Sequence, residues 1–268
     1  MFGELKNYFL EKTKIYKGKY EEKHKKDNEE KNKEDVGTST YNETITSVLW
    51  ALLLVTIIRS FLYEPFHIPS GSMKPGLVEG DYILVSKFEY GYTRYSIPFG
   101  IPIIKERIFD FKKPKRGEVV VFRLPSSPNI NYIKRLIGLP GDKITVKNKV
   151  LYVNDEEIKR EFIDMYVDEK NHNNLQRYRE NFFEKKIDIL QNAKIPAING
   201  DGEFIVPENQ YFFMGDNRDN SLDSRFVDTG YIPYQNIVGR AKIIFFSKSD
   251  SIFKIWKIRF KRIFKIIK

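Results

Sequence analysis

No cysteine occurs anywhere in the 268 residues. Disulfides, a thiol nucleophile and cysteine-ligated zinc are thereby excluded. Histidine is almost as scarce, present only as His24, His67 and His172. His24 lies in a Lys/Glu run and His172 in an Asn-rich stretch, settings that suit solvated side chains. His67 stands alone, and one local histidine is more often structural. A histidine-dependent triad and a His-ligated metal centre are therefore poorly supplied. Long apolar runs are equally few. One stands out, residues 45–63 (ITSVLWALLLVTIIRSFLY), nineteen residues with Arg59 as the single charge.

That run has the length to cross a bilayer, since roughly 20 residues at ~1.5 Å each traverse a ~30 Å hydrocarbon core. Arg59 falls near one end, where a long side chain can snorkel to the interface. A cleavable signal peptide would start close to the N-terminus, with an apolar core of roughly 7–15 residues. Here 44 residues precede a longer run, which favours a retained anchor. Lys25, Lys26, Lys31 and Lys33 flank it on the N-terminal side, against Lys74 alone on the other. The bias predicts a cytoplasmic N-terminus and an outer location for everything after Tyr63.

The formal net charge of +10 is unevenly spread. Residues 1–44 hold ten Lys and ten acidic residues and read as a charged, solvated extension. Residues 249–268 hold seven Lys/Arg against one Asp. In that tail Ile252, Trp256, Phe260, Ile263, Phe264 and Ile267 recur at three- and four-residue steps, with lysines stepping along the other side. The pattern predicts an amphipathic helix over 251–268, lying on an anionic membrane surface. Residues 90–104 (YGYTRYSIPFGIPII) are aromatic and apolar, and suit either core packing or a loop dipping into the outer leaflet.

After the span the pattern is that of strands. Residues 81–86 and 117–123 are β-branched and aromatic runs bounded by Gly or Pro, and 143–147 and 150–153 flank Asn148-Lys149 as a hairpin. Further strands are expected at 204–206, 211–214 and 238–246. Residues 155–199 are more polar, with a helix suggested around 175–183, and read as an insertion between two halves of one β domain.

Three segments carry chemistry. The first is Pro69-Ser70-Gly71-Ser72-Met73, a turn just past the apolar run. The second, 131–142 (NYIKRLIGLPGD), sets Lys134 among Tyr132, Ile133, Leu136 and Ile137. A lysine can act as general base only when neutral, and burial in apolar surroundings can lower its pKa by several units from ~10.4. The third, 215–225 (GDNRDNSLDSR), lacks the spacing of a calcium loop, and Arg218 and Arg225 would repel a cation. It fits a polar network that positions other residues.

Together these segments resemble the bacterial type I signal peptidases, with PSGSM after a span followed in order by GDYILVSKF, RGEVVVF, NYIKRLIGLPGD and GDNRDNSLDSR. The resemblance covers about residues 45–153 and 206–247. It implies a mainly β fold, a coiled antiparallel sheet with a variable β-rich insertion, preceded by one transmembrane helix. On that basis the domains are a cytoplasmic extension (1–44), a span (45–63), a catalytic β domain (64–153 with 206–248), an insertion (154–205) and a basic amphipathic tail (249–268). It further implies Ser72 as nucleophile, Lys134 as general base, and Ser70 with the Ser72 N–H as oxyanion hole. Ser221 would hydrogen-bond and orient the lysine, while Asp223 and Arg225 brace the site. Phe66, Ile68, Met73 and Ile133 would wall small pockets for Ala-x-Ala substrates. The implied partners are signal peptides of exported preproteins and membrane lipids, not nucleic acid, with no metal or organic cofactor. Two other readings are a soluble Ser-Lys self-cleaving repressor-type protease, which the span argues against, and an inactive membrane-anchored binding protein, which would be expected to have lost Ser72 or Lys134.

Overall fold

The computed structural model describes residues 17–19, 21–25, 41, 43–59, 61–96, 106–168, 170, 172–196, 200–249 and 257–268. The chain divides into two compact units, Met1–Thr56 and Ile57–Lys268. In the first, residues 43–56 are helical and exposed, and the helix runs on to residue 59. No helix among the described residues is long and apolar enough to cross a membrane. Tyr63, expected at the end of the apolar run, instead opens a strand.

The second unit is β-rich. Strand β1 (Tyr63–His67) pairs antiparallel with β2 (Asp81–Ser86), which matches the predicted 81–86 run. The main sheet adds β3 (Val119–Leu124), the twelve-residue β4 (Ser127–Gly138), β12 (Gln210–Met214), β13 (Ile232–Pro233) and β14 (Ile237–Ser247). Its strand order is β1-β2-β14-β3-β4-β12-β13, so the chain's last long strand is inserted between early ones. The β-branched run Val119-Val120-Val121 is buried on both faces, as befits a central strand.

A second sheet joins β5 (Lys143–Lys147), β6 (Val150–Val153), β7 (Glu156–Glu157) and β11 (Gly202–Ile205). The predicted β5–β6 hairpin forms, and its loop residues Asn148 and Lys149 both take positive φ, 51° and 62°. Such a two-residue loop matches the strand twist. A third sheet is built from β8 (Arg160–Val167), β9 (Asn174–Phe182) and β10 (Lys185–Gln191).

Two expectations are corrected. Residues 175–182 are strand, not helix. β9 is the middle strand of its sheet, and ladder pairing on both sides outweighs local propensity. The tail residues 257–268 form no amphipathic helix. After a short 3-10 turn at Phe260–Arg262, β15 (Lys265–Ile266) pairs with β14 and Ile267 packs on the core. Residues 250–256 lie outside the described residues. Of the 90–104 loop, Tyr90 belongs to the core and Ser96 is buried, while 97–104 also lie outside them.

Candidate active site

Ser72 sits on a run of turns between β1 and β2. The base of this loop is closed by Ile68 N–H to Asp81 O (2.8 Å) and Gly80 N–H to Ile68 O (2.9 Å). Met73 and Leu77 are each 1 % exposed and anchor the loop in the core. The sequence supplies this anchoring by placing apolar residues one and five positions beyond the serine, among Gly, Pro and Ser that favour turns.

Lys134 comes from β4, where Val120 of β3 is its cross-strand partner. It is 4 % exposed, and its Nζ donates to Ser72 Oγ at 2.6 Å across 62 residues of sequence. Burial pushes the ammonium down to about 8 from 10.5, against the pull of Asp223 and Asp216 and with help from Arg225. Ser70 Oγ lies 3.4 Å from Ser72 Oγ. No group of three or more metal-ligating side chains forms among the described residues.

The 215–225 loop surrounds this pair. Asp223, fully buried, accepts from Gly215 N–H (2.9 Å) and is gripped by Arg225 at 2.8 and 2.9 Å. Ser221 is also buried, yet its Oγ has no hydrogen-bond partner among the described residues, so the expected bond to Lys134 is not formed. A Cβ at Gly215 would lie 2.2 Å from Ser221 Oγ and 2.6 Å from Ser72 O. Glycine is therefore required where the two loops touch.

Phe66, Ile68, Met73 and Ile133 are brought together in one cluster with Ile83, Val85 and Val121. Ile68 and Met73 are buried, whereas Phe66 and Ile133 keep part of their surface open.

Two residues without an assigned role from sequence also contribute. Asn217 N–H donates to Ser72 O (3.0 Å), and its Nδ2 donates to Gly71 O (3.1 Å). Holding the Gly71 carbonyl fixes the plane of the next peptide, so the Ser72 N–H points the opposite way from Asn217. Arg135 grips Asp216 at 2.7 and 2.6 Å, neutralising a carboxylate that would otherwise keep Lys134 charged. The signal for both was their place inside the motif segments, beside residues already singled out.

A serine hydroxyl hydrogen-bonded to a buried lysine, with a second hydroxyl alongside, is an arrangement suited to acyl transfer. The comparisons with known proteins agree. The family described as signal peptidase, peptidase S26, matches residues 41–246. Signal peptidase I of Rickettsia typhi is 42% identical over 216 residues, covering 78% of this chain and 81% of that protein. That of Rickettsia prowazekii is 40% identical over 225 residues, covering 81% and 84%. A crystal structure of a signal peptidase I from Enterococcus faecalis is 26% identical and covers 48% of this chain and 97% of its own, with a TM-score of 0.30. The chain belongs to the signal peptidase family, peptidase S26, and is a serine endopeptidase.

Proposed function

We propose that this protein removes N-terminal signal peptides from exported preproteins by a Ser72–Lys134 dyad. Neutral Lys134 takes the Ser72 proton as Oγ attacks the scissile carbonyl. The resulting oxyanion is stabilised by the Ser72 N–H and the Ser70 hydroxyl, each such donor being worth ~3 kcal/mol. Collapse expels the new N-terminus of the mature protein, which takes a proton from Lys134, and leaves an ester on Ser72. Lys134 then deprotonates a water that hydrolyses this ester, and Ser72 is regenerated. Asp223, Arg225 and Ser221 support the dyad from behind, the first two through charge and the third by filling space.

The observation that carries this reading is the 2.6 Å contact between a buried, pKa-depressed lysine and Ser72. Specificity follows from the partly open Phe66 and Ile133 over buried Ile68 and Met73, whose bulk leaves room only for small side chains. Residues 45–63 anchor the enzyme, with residues 1–44 cytoplasmic and the β unit on the outer face of the plasma membrane, where preproteins arrive tethered to the bilayer.

The test is cleavage of a preprotein by purified protein. Ser72→Ala and Lys134→Ala should each abolish processing while far-UV circular dichroism stays unchanged. Ordinary turnover by either variant overturns the dyad.

A further inference from the structure

Two residues beyond Ser72, on the same turn, lies a second buried lysine that the dyad does not use. Lys74 is 3 % exposed. Its Nζ donates to both oxygens of Asp168 at 2.9 Å and pairs with Glu79 at 2.7 Å. Burial alone would lower its pKa, but Glu79 and Asp168 together hold it above the ordinary 10.5, so Lys74 stays charged. It is therefore no proton acceptor. It is a fixed cation in a socket of two carboxylates.

The socket joins distant parts of the chain. Glu79 belongs to the Ser72 loop, whereas Asp168 lies 94 residues from Lys74, just past β8 in the insertion. The turn after β8 pre-shapes the acceptor. Asp168 N–H donates to Asn173 O (3.0 Å), His172 N–H donates to Asp168 O (2.8 Å), and Lys170 N–H donates to the Asp168 carboxylate (3.0 Å). The same sheet also holds the other active-site loop. Glu180 of β9 pairs with Arg218 at 2.7 and 2.5 Å, and Leu190 N–H of β10 donates to Asp216 O at 2.8 Å.

We propose that Lys74 is a positioning residue, latched by Asp168, through which the insertion holds the Ser72 loop against Lys134. A bidentate buried contact restricts the loop more than a surface pair would, because neither partner can be exchanged for water without stranding a charge. The three-stranded sheet thus acts as a splint across both loops of the site.

The inference rests on the dyad reading, and Ser72→Ala run alongside separates the two. Lys74→Met, Asp168→Asn and the double variant are assayed in the full-length enzyme for kcat, KM, pH profile and thermal midpoint. Each single variant should lose about tenfold in kcat with KM within about twofold, a misplacement effect. The double variant should be no worse than either single one, as expected for partners in one contact. The acid limb of kcat/KM should move to higher pH as the loosened loop lets water reach Lys134. If Lys74→Met fails to fold, Asp168→Asn, which keeps the side chain's shape but loses its charge and one of its two acceptor oxygens, decides alone. Unchanged kcat and pH limb in folded variants, or losses that multiply in the double, overturn the latch. Activity of Ser72→Ala overturns the dyad instead.

Discussion

Lys134 illustrates how one residue's environment sets the chemistry. Its apolar neighbours in β4 and β3 exclude water, and its Nζ lies 5.4 Å from the centre of the Tyr132 ring. Asp216 and Asp223 would favour the ammonium, but Arg135 and Arg225 each occupy one of them. Desolvation therefore wins. On the proposed dyad, activity should rise with pH through an apparent pKa near 8, because only a neutral Lys134 could accept the Ser72 proton, and a pH series of kcat/KM checks this.

The same lysine has a stability consequence of the opposite sense to a salt bridge. Its folded pKa lies below its unfolded one, so between about 8 and 10.5 the unfolded chain binds a proton that the folded one does not. Stability therefore rises with pH across that window. The penalty is fully present below it and corresponds to roughly 3 kcal/mol at ~1.36 kcal/mol per pH unit. Lys134→Met should abolish cleavage yet raise stability at pH 7 by roughly 1–3 kcal/mol, after allowing for the unpaired Ser72 hydroxyl. Chemical denaturation of both proteins at pH 7 and pH 10.5 measures this, and their difference should shrink at the higher pH.

At the scale of elements, the site is the meeting of two loops with one strand. The Ser72 loop and the 215–225 loop touch where Gly215 passes Ser221 and the Ser72 carbonyl, and no side chain fits there. Gly215→Ala must push one loop aside. A shift on the order of 1 Å at a nucleophile costs about 100-fold in rate, so kcat should drop by that order with the pH limb of Lys134 disturbed. A variant with wild-type kcat would show that the loops yield without moving Ser72. Several elements were legible beforehand. Strands at 143–147 and 150–153 stand where their β-branched runs and turn residues put them, because such a short hairpin is specified by near neighbours; 81–86 also stands where its β-branched run put it, although its partners are β1 across the Ser72 loop and distant β14. β9 and the tail were misread as helix. The tail spaces its apolar residues in helical steps, yet its end pairs with β14; β9 pairs with β10 across a two-residue turn and with β8, and that pairing overrode the local reading.

For the whole molecule, the division at Thr56 places most of the proposed anchor, residues 45–56, in the first unit and its last residues, 57–63, in the unit that carries the site. Ser72, Lys134, the 215–225 loop and the insertion all belong to the second unit. A protein lacking residues 1–56 should therefore cleave a soluble signal-sequence peptide with kcat within about threefold of full length, and should no longer co-sediment with membrane vesicles. Loss of peptide cleavage by a folded truncation would mean that the first unit contributes to the site. Retained co-sedimentation would place the membrane contact in the second unit.

The sequence by itself pointed to a reaction type, through its resemblance to the type I signal peptidases. Ser72 on its turn, Lys134 in an apolar run and the polar 215–225 loop are local patterns, and the lack of cysteine and near lack of histidine removed the usual competitors. It also placed the strands that are bounded by their own turns. Only the tertiary structure decided what surrounds Lys134, the proposed base: the burial at β4, Arg135 on Asp216 and Arg225 on Asp223; it alone also set Asn217 across the Gly71–Ser72 peptide. It alone joined Lys74 to Asp168, and it alone left Ser221 Oγ without a hydrogen-bond partner among the described residues. The reason is physical. Propensity and periodicity act over a few residues, whereas desolvation and tertiary contacts depend on distances in space, here between residues 62 positions apart for Lys134 and Ser72 and 146 apart for Asn217 and Gly71.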